Sequence, residues 1–198
     1  MKLFRKLTSI IVDIHMKLIA QYWSKQYTKY RAIYHISPLF RFNGNGIIFY
    51  QEGEIECGEN SYIGENSSIQ AVKGCKVKIG NNCSISHYVN IYTSNHYADK
   101  DFSINDRTKN GNVTIGDNCW IGIKASIMGP VNIGENVVVG ANSLVNRDLP
   151  PHSIAIGVPA QVIKFKSYLA DDTKIRLALE FRNVLSDGLK KELDIIDE

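Results

Sequence analysis

Aliphatic residues recur every six positions along the middle of the chain, and glycine often follows them. A period of six fits neither an α-helix nor a free strand, whose side chains repeat every 3.6 and 2 residues. It is typical of short strands and turns that close a triangular coil of about 18 residues. The sequence therefore predicts stacked coils around an aliphatic core. The three runs are Cys57, Ile63, Ile69; Ile79, Ile85, Ile91; and Ile115, Ile121, Ile127, Ile133, Val139, Val145.

The largest interruption of this spacing lies between Ile91 and Ile115. Continuing the period through it would place Lys109 in the apolar core, where an unpaired charge is costly. Residues 92–112 are therefore predicted to form a loop extruded from the coil, and long loops in compact domains are usually functional. The loop contains Asn95, His96, Tyr97, Asp99, Asp101, Asp106 and Arg107.

Both ends of the chain have helical spacing instead. Near the start, six apolar residues recur every three or four positions: Leu3, Leu7, Ile10, Ile14, Leu18 and Tyr22. Near the other end, Asp171 and Asp172 form a helix start signal before Ile175. The predicted organisation is an N-terminal helical segment (1–45), a β-helix domain (46–166) with its extruded loop, and a C-terminal helical segment (167–198).

Composition and charge exclude several classes. With 198 residues, 44% of them hydrophobic, the chain has room for one domain with a core, so disorder is excluded as the main state. A net charge of +3 is too small for a protein that coats nucleic acid, and no nucleic-acid partner is expected. The positive charge is concentrated in residues 1–35, which hold seven lysine or arginine residues and one aspartate.

The basic N-terminal segment bears on location. No apolar run approaches the roughly 20 residues of a spanning helix, and no cleavage site of a secretory signal is visible, so we expect a cytoplasmic protein. Residues 1–34 have two interpretations. Their apolar face packs on the base of the coil, or it lies on an anionic membrane at the inner face of the plasma membrane, as a peripheral association.

The four cysteines have no spacing typical of a metal site. They lack a Cys-x-x-Cys pair, and a reducing compartment would keep them as small buried hydrophobes. No metal is therefore predicted. The four are Cys57, Cys75, Cys83 and Cys119.

An ordered set of motifs accompanies the repeat: Asn95-His96, Trp120-Ile121-Gly122, Gly140-Ala141-Asn142-Ser143, Asn146-Arg147-Asp148 and Gly157-Val158-Pro159-Ala160. Over about residues 55–166 the chain resembles the hexapeptide-repeat acyltransferases, especially the galactoside and maltose acetyltransferases and the polysaccharide O-acetyltransferases. The resemblance implies an all-β core in the form of a left-handed parallel β-helix. It also implies a homotrimer that holds acetyl-CoA, the co-substrate, between neighbouring coils.

The resemblance also assigns roles to single positions. His96 matches the general base, a task that suits histidine near neutral pH, and the backbone N–H of Ile123 matches the donor to the oxyanion. Asn66 matches a position that meets the acceptor sugar, although asparagine at a coil turn is also expected for backbone reasons. The positions that match contacts to acetyl-CoA are Ile123, Ala141, Asn146, Arg147 and Lys164. Trp120 follows from its own place in the repeat: next to the inward Ile121 it is expected to face outward, where it lines the acceptor or the acetyl-CoA channel or packs between copies of a trimer.

The predicted function is acetyl transfer from acetyl-CoA to a sugar hydroxyl by direct attack on the thioester. The expected saccharide acceptor is a capsular, O-antigen or other surface polysaccharide, or its precursor. The main alternative is N-acetylation of a nucleotide-linked amino sugar. Two further alternatives are a γ-type carbonic anhydrase, which needs three histidines around a metal, and a β-helix that only binds or scaffolds.

Overall fold

Short parallel strands stack in register to form the three walls of a triangular coil. The computed structural model describes residues 2–103 and 108–195. Asp106 and Arg107, two residues of the predicted extruded loop, lie outside the described residues. Within them the strands form three sheets of five, seven and five members and one separate pair, which confirms the predicted coil.

Strands are numbered along the chain. The first sheet contains β1 (His35–Ile36), β4 (Glu54–Cys57), β7 (Lys76–Ile79), β12 (Val113–Ile115) and β15 (Val131–Ile133). The second contains β2 (Arg41–Asn43), β5 (Tyr62–Gly64), β8 (Ser84–Ile85), β13 (Trp120–Ile121), β16 (Val138–Val139), β18 (Ser153–Gly157) and β19 (Ala160–Phe165). The third contains β3 (Ile48–Tyr50), β6 (Ser68–Gln70), β9 (Asn90–Tyr92), β14 (Ser126–Met128) and β17 (Leu144–Val145). The separate pair is β10 (Ser94–His96) and β11 (Thr108–Asn110).

The aliphatic anchors of the repeat form columns inside the coil. In the second sheet, Ile63 pairs with Ile85, Ile85 with Ile121, and Ile121 with Val139. All four side chains are fully buried. Stacked strands lie about 4.8 Å apart, so each anchor rests directly on the anchors of the coils above and below. This column arises because successive side chains of a strand point to opposite faces.

Asparagine occupies one corner of the coil because the backbone there is left-handed. Asn60, Asn82, Asn118 and Asn136 stand at equivalent corners of successive coils and have φ between 55° and 59°. Asparagine adopts this region more readily than other non-glycine residues. The repeated asparagines of the sequence are thus explained by backbone geometry.

The last third of the N-terminal helix α1 (Lys2–Ile33) packs on the coil. The rings of Tyr27 and Phe42 stack with centroids 4.4 Å apart, and those of Tyr30 and Phe49 with centroids 5.3 Å apart. Arg31 also donates hydrogen bonds from its guanidinium to backbone carbonyls of residues 37 and 40. Aromatic packing and Arg31 therefore fix the end of α1 to the first coil.

The coil starts earlier than the predicted domain boundary. The helical segment was predicted to extend over residues 1–45, but α1 ends at Ile33, and β1 and β2 already pair with β4 and β5. Pro38 cannot continue a helix because it lacks a backbone N–H. This first coil has no aliphatic–glycine repeat, so the period of six does not reveal it.

Ile14 and Leu18, in the described part of the apolar stripe of α1, do not pack on the coil of their own chain. They are 52% and 58% exposed. Leu18 precedes Tyr27, whose ring stacks on Phe42, by nine positions, which at about 100° per residue is half a turn around the helix. The stripe therefore faces away from the side that packs on the coil. Within the described residues, no helix is long and apolar enough to cross a membrane.

The C-terminal segment covers the last strands of the coil. It consists of α2 (Asp171–Glu180), a short 3-10 helix (Arg182–Val184) and α3 (Asp187–Glu192). Leu177, Leu185 and Leu189 are buried and belong to the same core as Val162 of β19. Ser186 begins α3 and its hydroxyl accepts a hydrogen bond from the Leu189 backbone, a normal N-terminal cap. The helices predicted at both ends are thus confirmed.

Candidate active site

The extruded loop begins as a β-hairpin rather than as irregular chain. β10 and β11 run antiparallel, with Asn95 opposite Lys109 and His96 opposite Thr108. The hairpin leaves the coil between the third and the first sheet, and we call it the arm. Pairing its two strands satisfies backbone groups that would otherwise have no partner. The prediction that this segment is extruded is confirmed, and the ordered hairpin at its start is an addition.

The base of the arm is held firmly in the coil. The buried hydroxyl of Thr93 accepts a hydrogen bond from the Val72 N–H at 2.9 Å and donates to the Gln70 carbonyl at 3.2 Å. The Gly111 N–H donates to the Thr93 carbonyl at 2.8 Å, which closes the base. A side chain at Gly111 would lie 2.6 Å from Pro130, so glycine is required there.

His96 presents its imidazole on the surface of the arm. Its ring lies 5.7 Å from the ring of Phe102, and its backbone N–H donates to Asn95 Oδ1 at 2.8 Å. Neither ring nitrogen has a hydrogen-bond partner in the described part of the chain. Both nitrogens are therefore accessible to a substrate. This is the arrangement required of a group that exchanges a proton with a bound molecule.

A second group of predicted residues lies at the edge between the second and third sheets. Trp120 points outward from β13 and is 56% exposed. Ile123 follows two residues after this strand, in a turn closed by the Ala125 N–H on the Gly122 carbonyl at 3.2 Å. Lys124, the third residue of that turn, has φ of 59°, which is typical of a type II turn.

The backbone N–H of Ile123 has no acceptor among the described residues. It stands at the second position of its turn, where the N–H is not used to close the turn. The Ile123 side chain is 40% exposed. The amide is therefore a free donor at the coil surface, as the oxyanion role requires.

The coils approach very closely at this edge. The Asn142 N–H donates to the Ile123 carbonyl at 2.9 Å, which places Ala141 directly above Ile123. A Cβ at Gly122 would lie 2.6 Å from the Ala141 nitrogen, so only glycine allows this approach. Asn66 lies at the same edge in an earlier coil. Its φ of 55° is in the left-handed region, which asparagine adopts readily, so the backbone conformation by itself explains an asparagine there.

The predicted contacts to acetyl-CoA are divided between different edges of one chain. Asn146 and Arg147 follow β17, at the edge from which the arm leaves. Arg147 Nη1 donates to the Asn183 carbonyl at 3.0 Å. Lys164 lies on β19, opposite Ile154 of the second sheet. One chain thus brings Trp120, Ile123 and Ala141 together but separates them from His96, Asn146 and Arg147 by the width of the third sheet.

The cysteines serve the coil rather than a surface site. Cys83 and Cys119 donate hydrogen bonds from Sγ to the Gly116 and Gly134 carbonyls of the next coil, both at 3.1 Å. Burial raises the pKa of the Cys57 thiol well above its usual range. In residues 2–103 and 108–195, no group of three or more His, Cys, Asp or Glu side chains is placed to hold a metal ion.

A polar cluster on the outer face of the third sheet was not predicted from the sequence. It consists of Ser68, Gln70, Asn90 and Tyr92, with Tyr50 from β3. Burial, and secondly the neighbouring Tyr92, raise the pKa of Tyr50. The available signal was the set of polar residues flanking Ile69 and Ile91. Polar residues are also common at the other outward positions of the coil, so the sequence alone did not distinguish this set. We call this set the third-sheet cluster.

Comparison with known proteins identifies related chains. Residues 112–147 match the family described as bacterial transferase hexapeptide (six repeats). The galactoside O-acetyltransferase of Escherichia coli (strain K12) is 36% identical over 118 residues, which cover 60% of this chain. The match spans 57% of that relative, so the chain spans little more than half the length of the curated relatives that it matches.

Solved structures give longer matches. A maltose O-acetyltransferase from Clostridium difficile 630 is 31% identical, with a TM-score of 0.61, and the match covers 72% of this chain and 75% of that one. A hexapeptide-repeat acetyltransferase from Vibrio cholerae, solved with acetyl-coenzyme A, is 26% identical with a TM-score of 0.58. That match covers 72% of this chain and 76% of the other.

Proposed function

Since the chain belongs to the hexapeptide-repeat acyltransferases and has their left-handed β-helix, we propose that it transfers an acetyl group from acetyl-CoA to a sugar hydroxyl. The observation that carries the proposal is the exposed imidazole of His96 on an arm with an anchored base. Relatives named for galactoside and maltose O-acetylation, and a neighbour solved with acetyl-coenzyme A, support the substrate classes.

His96 is the general base in this proposal. An imidazole nitrogen removes the proton from the sugar hydroxyl while the oxygen attacks the thioester carbonyl carbon. The carbon–sulfur bond of the resulting tetrahedral intermediate then breaks, and CoA leaves as the thiol after taking that proton from the imidazolium. The products are the sugar acetate and CoA, with no acyl-enzyme and no metal. General base catalysis of this kind contributes about 10²–10⁴-fold to the rate.

Ile123 supplies the oxyanion donor through its backbone. Negative charge develops on the thioester oxygen in the tetrahedral state, and a fixed N–H stabilises it without reorganising. The unpartnered Ile123 N–H at the turn fits this role. Trp120 beside it forms a wall for the acceptor or the pantetheine arm. Ala141 and Asn146 line the pantetheine, and Arg147 and Lys164 meet the phosphates of CoA.

The divided site supports a homotrimer. His96 and Ile123 stand at opposite edges of the third sheet of one chain, so a complete site needs the arm of one copy beside the Ile123 edge of another. Apolar side chains that remain exposed at this edge, including Trp120 and Tyr88, supply surface for such a contact. The active sites therefore lie between neighbouring copies.

The acceptor in this proposal is a surface polysaccharide or its lipid-linked precursor at the inner face of the plasma membrane. The support is α1, whose apolar stripe faces away from the coil and is exposed at Ile14 and Leu18. Its segment is rich in lysine and arginine, and a basic amphipathic helix binds the surface of anionic membranes. The association is peripheral and uses residues 1–34.

The test of the transfer is CoA release with acetyl-CoA and a panel of sugars. The panel contains glucose, maltose, maltotriose, galactose and lactose, together with glucosamine and a nucleotide-linked amino sugar. Turnover with hydroxyl acceptors, and an acetate ester in the product by mass spectrometry, supports the proposal. Preference for the amine in direct competition would assign N-acetylation instead. Absence of turnover with every acceptor, including a lipid-linked oligosaccharide and a purified surface polysaccharide added to the panel, would overturn sugar acetylation.

The test of the membrane surface uses vesicles of phosphatidylglycerol and phosphatidylethanolamine. A chain without residues 2–21 keeps the ring contacts of Tyr27 with Phe42 and of Tyr30 with Phe49, which fix α1 to the coil. It is expected to stay in the supernatant while the full chain co-sediments. Ile14→Asp with Leu18→Asp is expected to weaken binding in the full chain. Ser24→Asp, on another side of the helix, serves as control. Equal sedimentation of the truncated and full chains would contradict the membrane role.

A further inference from the structure

Tyr88 occupies a corner of the coil at which the backbone is left-handed. At the edge between the second and third sheets, one residue of each of the first five coils has a positive φ. Glycine and asparagine suit this region, whereas a bulky tyrosine with φ of 58° is unusual there. Such a conformation, kept against the preference of the residue, points to a demand on its side chain. The five corner residues are Gly46, Asn66, Tyr88, Lys124 and Asn142.

The Tyr88 side chain has few interactions with its own chain. It is 43% exposed. Within the described residues its hydroxyl has no hydrogen-bond partner and its ring has no aromatic or cationic neighbour. The coil itself therefore gives no reason for a tyrosine at a left-handed corner, and the reason lies with a molecule that meets this edge.

The backbone ladder places Tyr88 between two positions of the predicted site. The Tyr88 N–H donates to the Glu65 carbonyl at 3.0 Å, which sets Tyr88 directly above Asn66. The next coil is joined in the same way, by a bond of 3.0 Å, and Lys124 stands directly above Tyr88. Successive coils lie about 4.8 Å apart. Tyr88 is therefore one coil from Asn66, the predicted acceptor contact, and one coil from the turn that holds the Ile123 N–H.

The order of the predicted contacts along the stack assigns Tyr88 to the acceptor side. Contacts to acetyl-CoA are predicted on later coils, with Ala141 one coil above Ile123 and Lys164 on β19, the last strand of the second sheet. The thioester is the end of acetyl-CoA that reaches Ile123, so the acceptor occupies the space over the earlier coils. Tyr88 is the first corner residue there, and one coil spacing is within the reach of a single sugar ring.

This edge has to stay open to substrates in the proposed trimer. The arm of a neighbouring copy stands beside the Ile123 edge, and both substrates enter between the two copies to reach His96 and the Ile123 N–H. Tyr88 lies on that edge rather than on the outer face of the third sheet. Its exposed ring therefore borders the gap in which the reaction takes place.

An aromatic ring at this place selects the shape of the acceptor. One face of a pyranose ring presents several C–H groups together, and these pack on the flat apolar face of an aromatic side chain. An open-chain polyol has the same hydroxyl groups but no such face. The Tyr88 ring carries no charge, so it favours a neutral ring over an ionic group.

We propose that the Tyr88 ring stacks on the pyranose ring that accepts the acetyl group, and that a tyrosine is kept at this left-handed corner for that contact. The inference rests on the proposed acetyl transfer to sugars. It makes Tyr88 a specificity-determining residue that favours cyclic acceptors over open-chain ones.

The test compares three variants of the full chain. Tyr88→Asn removes the ring and suits the left-handed backbone, and Tyr88→Phe keeps the ring without the hydroxyl. Asn82→Tyr is the matched control, because it places a tyrosine at a left-handed corner of the same coil, on the edge between the first and second sheets. CoA release is measured with the panel of sugars described above, joined by glucitol and galactitol as open-chain acceptors.

We expect Tyr88→Asn to raise KM for cyclic acceptors about tenfold, as for the loss of one aromatic contact. KM for acetyl-CoA stays unchanged, and the preference for glucose over glucitol in kcat/KM falls by the same factor. The melting temperature of Tyr88→Asn equals or exceeds that of wild type, because relief of the unfavourable backbone conformation offsets the lost packing of the ring. Tyr88→Phe keeps the wild-type KM values. Asn82→Tyr lowers the melting temperature and changes no KM.

Several outcomes would overturn the stacking contact. Equal KM values for Tyr88→Asn and wild type, with wild-type turnover intact, would do so and leave the proposed function standing. An equal rise in KM with Tyr88→Phe would assign the effect to the hydroxyl instead of the ring. A change of oligomeric state in Tyr88→Asn by analytical ultracentrifugation would replace the sugar contact with a contact between copies. Absence of wild-type turnover with every acceptor would overturn both proposals.

Discussion

Replacement of His96 by alanine separates chemistry from folding, because the two expected effects differ strongly in size. The side chain is exposed, its ring lies 5.7 Å from that of Phe102, and neither ring nitrogen is hydrogen-bonded in the described residues. Its removal should change the free energy of unfolding by less than about 0.5 kcal/mol, as for other surface positions. Loss of a general base costs about 10²–10⁴ in rate, which is about 2.7–5.5 kcal/mol of activation free energy. The catalytic effect therefore exceeds the structural one at least about fivefold.

The assay is CoA thiol release at saturating acetyl-CoA, with acetyl-CoA affinity measured by calorimetry and stability by thermal denaturation. His96→Ala should lose turnover, keep acetyl-CoA affinity and keep its melting temperature. His87→Ala is the control: His87 Nδ1 accepts from the Glu65 N–H at 3.1 Å, so this variant should lose about 1 kcal/mol of stability and keep its turnover. Equal turnover of His96→Ala and wild type would refute the assignment of the base.

Three further predictions concern the coil. Ile123→Pro removes the backbone N–H at a turn position that favours proline, so this variant should fold normally and lose about 10²–10³ in kcat. Ile123→Ala keeps the N–H and should retain turnover. Full activity of the proline variant would exclude the oxyanion role. Ile121→Ala should lower the free energy of unfolding, measured by urea titration, by about 3–4 kcal/mol, because rigidly spaced coils cannot collapse onto the cavity. The control Trp120→Ala, at an exposed position, should lower it by less than about 1 kcal/mol. A thiol reagent at neutral pH should label at most Cys75 quickly, because the other three cysteines are buried; fast labelling of all four thiols in the native protein would contradict the burial.

The repeat was sufficient to predict the coil and its core. Ile63, Ile85, Ile121 and Val139 are consecutive members of a column that the period of six places on one wall. The left-handedness of the coil was predicted only through the resemblance. The spacing of six is the same in a coil of either hand, and the general preference for crossover connections favours a right-handed coil. The first coil escaped prediction because its contacts are aromatic, as between Tyr27 and Phe42, and aromatic packing has no fixed period.

The sequence proposed single positions for the candidate site but not their arrangement. The motif order singled out His96 and Ile123 as candidates, and their roles stay predictions, whereas spacing along the chain does not tell which edge of a triangular coil a residue occupies. The third-sheet cluster could not be recognised from the sequence, because it is defined by the hydrogen-bond partners that the side chains of Asn90 and Gln70 have or lack. The direction of the α1 stripe likewise depended on where Tyr27 meets the coil, at Phe42.

The closed base of the arm has an evolutionary consequence. Thr93 and Gly111 meet through one hydrogen bond of 2.8 Å, so the chain leaves the coil and returns to it at the same point. Residues between them can be gained, lost or exchanged without shifting a single coil above or below, and loop closure becomes only slowly less favourable with length. Evolution can therefore remodel this one segment while the coils on either side of it keep their structure.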